Sequence, residues 1–214
     1  MGAVSGGSLL KLPGRTGDAG IPDSPLFDVE SFRSLTTRRA EVRDVPSPTL
    51  VLGSTQPEET ADRGTLARRH VTLVRRRSGG GAVYLAPTEQ LWVDVWVPRS
   101  DELWDDDVVA AAAWVGAWWA GALQRVGLRQ LEVHAGPARP GAFGKRVCFA
   151  GLGPGEVHHA GRKLVGLSQW RSRQGALFST ARIGAGTPRR WSSCSSPAWR
   201  AVGSMPRSSR WPSG

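Results

Sequence analysis

The longest apolar run of the chain, VVAAAAWVGAWWAGAL over residues 108–123, sets the first constraint on its fold. Sixteen residues fall short of the roughly 20 that a bilayer-spanning helix needs, and much of the run is Ala and Gly. Its flanks complete a helix signature over 105–127, with three aspartates at the start, Arg125 near the end and Gly127 at the stop. Trp114 and Trp118 fall on one face of that helix and read as core packing rather than as a cofactor box. The run is therefore expected to be a buried helix.

The clearest strand is LWVDVWVP (91–98), with Val93, Val95 and Val97 on one face and Trp92, Asp94 and Trp96 on the other. PTLVLGSTQ (48–56), HVTLVRRR (70–77) and LEVHA (131–135) add shorter strands. KRVCFA (145–150), EVHHAGRKLVGLSQW (156–170) and GALF (175–178) suggest more, with a tight turn at Ala160-Gly161. Residues 27–45 read as weakly helical and 57–70 as a helix with favourable end charges. Strands outnumber helices without strict alternation. This predicts an α+β fold with a mostly antiparallel sheet flanked by helices. At 214 residues with 40% apolar content the chain suits one domain, preceded by a loose Gly-, Ser- and Pro-rich extension over 1–25.

A net charge of +10 would usually point to a polyanion partner. Residues 179–214, however, hold six Arg and no Lys, Asp or Glu, which leaves 22 basic and 18 acidic side chains for the rest. The basicity belongs mostly to this tail, so neither nucleic acid nor membrane is expected as a partner. Cys148 and Cys194 make no disulfide framework, and no charged and then apolar leader opens the chain. A cytoplasmic location is the expectation.

RRRSGGGAVYL (75–85) places dense positive charge and a glycine run between two strand patterns. Glycine allows positive φ and close approach of backbone N–H groups to a phosphate or carboxylate. A loose hairpin turn reads equally well from composition, and neither the P-loop nor the dinucleotide glycine spacing is present. GRKLVGLSQWRSRQGALF (161–178) puts Lys163 in a strand just after a turn, where a surface lysine is the plain alternative.

Together RRRSGGGAVY (75–84) and GRKLVGLSQ (161–169) resemble the biotin/lipoate protein ligase superfamily, specifically its lipoate–protein ligase A branch. The resemblance runs from Pro48 to Phe178. It implies an antiparallel sheet flanked by helices, related to the core of class II aminoacyl-tRNA synthetases. It also implies activation of lipoate or octanoate with ATP and Mg²⁺ as an acyl-adenylate. The acyl group then passes to a lysine of an acceptor domain in a 2-oxoacid dehydrogenase or in the glycine cleavage system. By the same resemblance, Ser78, Gly79, Gly80 and Gly81 wrap the phosphate–carbonyl linkage, and Ala82 and Val83 line the acyl tunnel with Tyr84 completing the motif. Arg76 neutralises phosphate charge while at least one of Arg75 and Arg77 faces solvent. Lys163 holds the carboxylate against the α-phosphate, and Gly166 and Ser168 let the ligand lie close to their strand.

The chain also departs from that branch. Leu85 and Ala86 stand where the ligases commonly carry His-Asp, and RVCFAGLGPGEV (146–157) is closer to a Cys-Phe-x-x-Pro segment of an octanoyltransferase branch. There the cysteine is an acyl-thioester nucleophile, and octanoate moves from acyl carrier protein without ATP. Cys148 would take that role in a field from Lys145, Arg146 and Lys163, and is otherwise an inert core cysteine. His134, His158 and His159 qualify as bases only by residue type, and no Cys/His set has metal-ligand spacing. The pattern stops at Phe178, and the Arg-, Ser-, Pro- and Trp-rich 179–214 reads as a frameshifted, irregular tail with no packed structure beyond residue 180. On that reading the fold lacks part of its sheet edge. A degenerate ligase, or a polyanion-binding protein acting through the tail, is the non-enzymatic alternative.

Overall fold

A computed structural model describes residues 28–139, 141 and 146–183. The expected extension over 1–25, together with Lys145, Cys194 and the tail beyond residue 183, lies outside the described residues. The elements run α1 (Glu30–Arg33), β1 (Arg39–Arg43), β2 (Thr49–Leu52), α2 (Arg63–Arg68), β3 (Thr72–Arg75), β4 (Val83–Leu85) and β5 (Gln90–Pro98). They continue with α3 (Val108–Arg125), β6 (Leu131–Val133), β7 (Val157–His159), β8 (Arg162–Arg171) and β9 (Gly175–Ile183). A six-stranded antiparallel sheet has the order β1-β5-β9-β8-β7-β6, and a small sheet has the order β3-β2-β4 with β2 and β3 parallel. The architecture is α+β, as the sequence predicts.

The two faces of β5 divide as its alternation requires. Val93, Val95 and Val97 meet Val115, Trp119 and Leu123 of α3, which is capped by Asp107, whose carboxylate accepts from the Val109 and Ala110 N–H groups. Trp114 packs edge-on to Phe178 with centroids 5.6 Å apart, and Trp118 packs against Trp119 at 5.4 Å, so both are half-buried side chains packed against the core. On the other face, Trp92 and Ala181 join the small sheet, while Trp96 and Leu177 pack on Phe32 of α1. No helix among the described residues is long and apolar enough to cross a membrane.

Three expectations are corrected. The stretch 27–45 is helical only over Glu30–Arg33. Arg39–Arg43 is instead an edge strand paired with β5, and its charges are taken up by Arg39–Glu41 and Arg43–Asp94 ion pairs at 2.6 and 3.1 Å. KRVCFA is not a strand: Val147 makes one bridge to Ala82, and Cys148–Ala150 curl into a 3₁₀ turn. β9 continues past Phe178 to Ile183 because its polar residues find partners. Thr180 Oγ1 donates to the Val93 carbonyl at 2.8 Å and accepts from Trp119 Nε1 at 3.0 Å.

α3 lies against the turn before β7 at backbone contact. A Cβ on Gly116 would stand 2.3 Å from the Gly155 carbonyl oxygen. Gly155, at φ +74°, would meet the Ala112 carbonyl oxygen at 2.1 Å. Glycine inside a helix normally costs about 1 kcal/mol relative to alanine, so close approach is what Gly116 provides. Gly116→Ala is therefore expected to destabilise the fold by about 1–3 kcal/mol despite alanine's better helix propensity. Urea denaturation checks this, and an unchanged or raised midpoint would refute the contact.

Candidate functional site

The chain leaving β3 turns through residues 76–82 before entering β4. Gly80 takes φ +99°, which favours glycine. A Cβ on Gly81 would fall 2.6 Å from the Val147 carbonyl carbon. Ala82 N–H donates to the Arg146 carbonyl at 2.8 Å, and Cys148 N–H donates to the Ala82 carbonyl at 2.9 Å. The glycine loop is thus stitched to the segment entering the Cys148–Ala150 turn.

Arg76 sits under this loop, only 3% exposed. Its Nη2 donates to the Gly79 and Gly81 carbonyls at 2.7 and 2.9 Å, while Nε and Nη1 are buried without a partner among the described residues. The N–H groups of Gly79, Gly80 and Gly81 likewise donate to no described residue. Burial pushes the Arg76 guanidinium below its ordinary pKa, with Cys148 acting in the opposite direction. Arginine nonetheless keeps its charge in proteins. A buried cation with spare donors beside these amides can accept a carboxylate or phosphate oxygen.

Arg76, Cys148, Ser168 and Ser179 supply the polar lining of a crevice between the two sheets, and Val83, Trp92, Phe149, Leu167 and Ala181 the apolar lining. Ser78 Oγ donates to Ser168 Oγ at 3.0 Å. The Phe149 ring covers Gly166, where a Cβ would come within 3.0 Å of it, and the crevice encloses only about 20 Å³.

Lys163 is not part of the crevice lining. Its Nζ lies 2.7 Å from Glu156 Oε2, with both side chains 4% exposed, and donates to the Cys148 carbonyl at 2.7 Å. Burial pushes the Glu156 carboxyl up, opposed by the hydrogen bond and charge of Lys163. Burial likewise pushes the Cys148 thiol up, against the fields of Arg76 and Lys163 and with that of Glu156. The Cys148 turn thus links the two cations: its first residue lines the crevice beside Arg76 and its carbonyl takes Lys163.

Other sequence candidates lie elsewhere. Tyr84 is 53% exposed on the opposite side of β4 from buried Val83. Arg75 Nη1 donates to the Gly53 and Gln56 carbonyls, and Arg77 faces outward to Glu30 at 3.5 Å. His159 is exposed, and His134 Nε2 lies 3.0 Å from the Pro137 carbonyl. His158 is buried, which with the nearby Lys163 charge holds its pKa down. No histidine lines the crevice. Glu156 was missed, although its place after Gly-Pro-Gly and before the Lys163 strand was a usable signal: a buried lysine requires a nearby acid.

The antiparallel α+β core thus carries a buried cation beside a glycine loop, next to a largely apolar crevice. The family model described as the lipoyl protein ligase A/B catalytic domain matches residues 45–183, and the chain belongs to that family. No curated protein matches the chain. Among solved structures, a putative lipoate protein ligase from T. acidophilum with bound lipoic acid superposes with TM-score 0.58 at 20% identity, covering 75% of this chain and 61% of that one. A lipoate-protein ligase A bound with ATP gives 0.57 at 19% identity, covering 78% and 64%. A bipartite lipoate protein ligase with its E2 lipoyl domain, from Thermoplasma acidophilum, gives 0.54 at 19%, covering 78% and 60%. At these identities the likeness establishes the fold, and the chain spans less than two thirds of each of these three relatives.

The raised Cys148 pKa gives a direct prediction. Iodoacetamide should alkylate Cys148 more slowly at neutral pH than a free thiol, with a rate still climbing with pH beyond the ordinary cysteine range. Peptide mass mapping measures it. Faster-than-free labelling at neutral pH would mean an activated thiolate.

Proposed function

We propose that the chain is an acyl-activating enzyme of the lipoate–protein ligase type, which joins lipoate or octanoate to AMP and passes the acyl group to an acceptor-domain lysine. The single observation that carries this reading is Arg76, buried with Nε and Nη1 unpaired at the crevice. A carboxylate oxygen of the fatty acid attacks the α-phosphorus of ATP, and the bond from that phosphorus to the pyrophosphate oxygen breaks. The acceptor amine then attacks the acyl carbonyl, the carbonyl–oxygen bond to AMP breaks, and the amine loses a proton. Arg76, the Gly79–Gly81 amides and the Ser78 and Ser168 hydroxyls face the phosphate–carboxylate linkage. Lys163 supplies further positive charge as it develops in the transition state. Val83, Trp92, Leu167 and Ala181 enclose the chain once the Phe149 ring moves aside.

ATP would be accompanied by Mg²⁺. No cluster of three or more His, Cys, Asp or Glu among the described residues could hold a metal, so no step is assigned to the ion. The acceptor in this reading is a lipoyl domain of the kind named in one relative's structure.

One observation favours a second reading: Cys148 lines the crevice beside Arg76, as an octanoyltransferase nucleophile would. Against it, burial raises the thiol pKa and Lys163 donates to the Cys148 carbonyl.

Adenylate formation, followed by exchange of labelled pyrophosphate into ATP in the presence of octanoate or lipoate, tests the proposal. Arg76→Ala and Lys163→Ala are each expected to lower the exchange rate by about 100-fold or more, and Cys148→Ala to leave it within about threefold. Exchange that depends on Cys148 but not on Arg76 or Lys163 would overturn the assignment.

A further inference from the structure

We propose that Glu156 is a positioning residue for Lys163, whose buried carboxylate holds the ammonium fixed at the Cys148 carbonyl until an anionic ligand takes up that charge; the proposal rests on the acyl-activating reading above. The carboxylate is placed by backbone. Glu156 N–H donates to the Gly153 carbonyl at 3.2 Å, its own carbonyl accepts from His134 N–H at 2.9 Å, and the preceding Gly155 lies against α3. Oε2 then accepts from Gly153 N–H at 2.6 Å and sits 2.7 Å from Lys163 Nζ.

The ammonium has three protons. Glu156 and the Cys148 carbonyl take two, and the Phe149 ring, whose centroid is 5.4 Å from Nζ, presents its face to the same charge. A lysine this enclosed, deprived of its carboxylate, leaves its place. A displaced amine cannot balance a phosphate. Glu156 does not line the crevice, so its influence on the reaction passes through Lys163.

The test compares Glu156→Gln, Glu156→Asp, Lys163→Met and the Glu156→Gln/Lys163→Met double variant of the full chain. The chain has three lysines, Lys11, Lys145 and Lys163, so acetic anhydride labelling read by peptide mass mapping reports Lys163 against internal controls. Lys163 should be nearly inert at neutral pH in the wild-type chain and at least about tenfold more reactive in Glu156→Gln. For adenylate formation, Glu156→Gln should lower kcat about tenfold or more with KM changed less than about threefold. Glu156→Asp should recover part of the loss, and Glu156→Gln should cost nothing further in the Lys163→Met background. Unchanged Lys163 labelling in folded Glu156→Gln, or a full additional loss in the double variant, overturns the proposal. If Glu156→Gln does not fold, the double variant, which removes both charges, must fold; its failure also overturns the proposal. A wild-type chain that forms no adenylate refutes the acyl-activating reading instead, and the labelling result alone then decides the role of Glu156.

Discussion

The side chains of Lys163 and Glu156, each only 4% exposed and 2.7 Å apart, form the buried ion pair that holds the segments beside the crevice together. Removing two charges from water costs several kcal/mol each, so such a pair persists only where geometry and further hydrogen bonds compensate it. Here the compensation comes from backbone: the Gly153 N–H on the carboxylate and the Cys148 carbonyl on the ammonium. The pair therefore ties together the turn before β7, the strand β8 and the Cys148–Ala150 turn. The first of these is in turn fixed to α3 by the Gly116–Gly155 contact. A helix core contact and a site charge belong to one mechanical unit.

The second cation, Arg76, is placed by different means. The small sheet delivers it, and the glycine loop closes over it with two carbonyls, leaving two guanidinium nitrogens unpaired among the described residues. The crevice lies where the small sheet meets the β5-β9-β8 face of the large one, with its apolar lining drawn from both. The Cys148–Ala150 turn bridges the two cations and brings Phe149 over Gly166. One short segment thus lines the crevice and neighbours both positive groups.

Much of this was legible in the sequence where local pattern and tertiary environment agree. The valine and tryptophan alternation of β5 was read with its correct faces, and the capped, apolar α3 was recovered within a few residues of its ends. The two motifs led to the glycine loop and to β8. What failed did so for tertiary reasons. Arg39–Arg43 looks helical because an edge strand can carry its charges in ion pairs. Ser179 and Thr180 look like the start of a polar tail, yet Thr180 is fully buried, bonded to Trp119 and to the backbone of Val93. The Cys148 segment has a strand's composition but makes only a single bridge at Val147, so its direction is set by the glycine loop. Tyr84, part of the glycine motif, turns away from the crevice because alternation along β4 gives the inside to Val83 and Leu85. Glu156 was hidden because its role is defined by a partner across a turn.

The central claim is that Arg76 and Lys163 serve an acyl-adenylate rather than a thioester on Cys148. Intact-mass spectrometry of a lipoyl acceptor domain decides it most directly. The domain is incubated with this chain in two parallel reactions, one with ATP, Mg²⁺ and octanoate and the other with octanoyl carrier protein alone. The account predicts a mass increase of one octanoyl group on the acceptor in the ATP reaction and none from the carrier protein. Modification from the carrier protein alone, lost in Cys148→Ala, would contradict it.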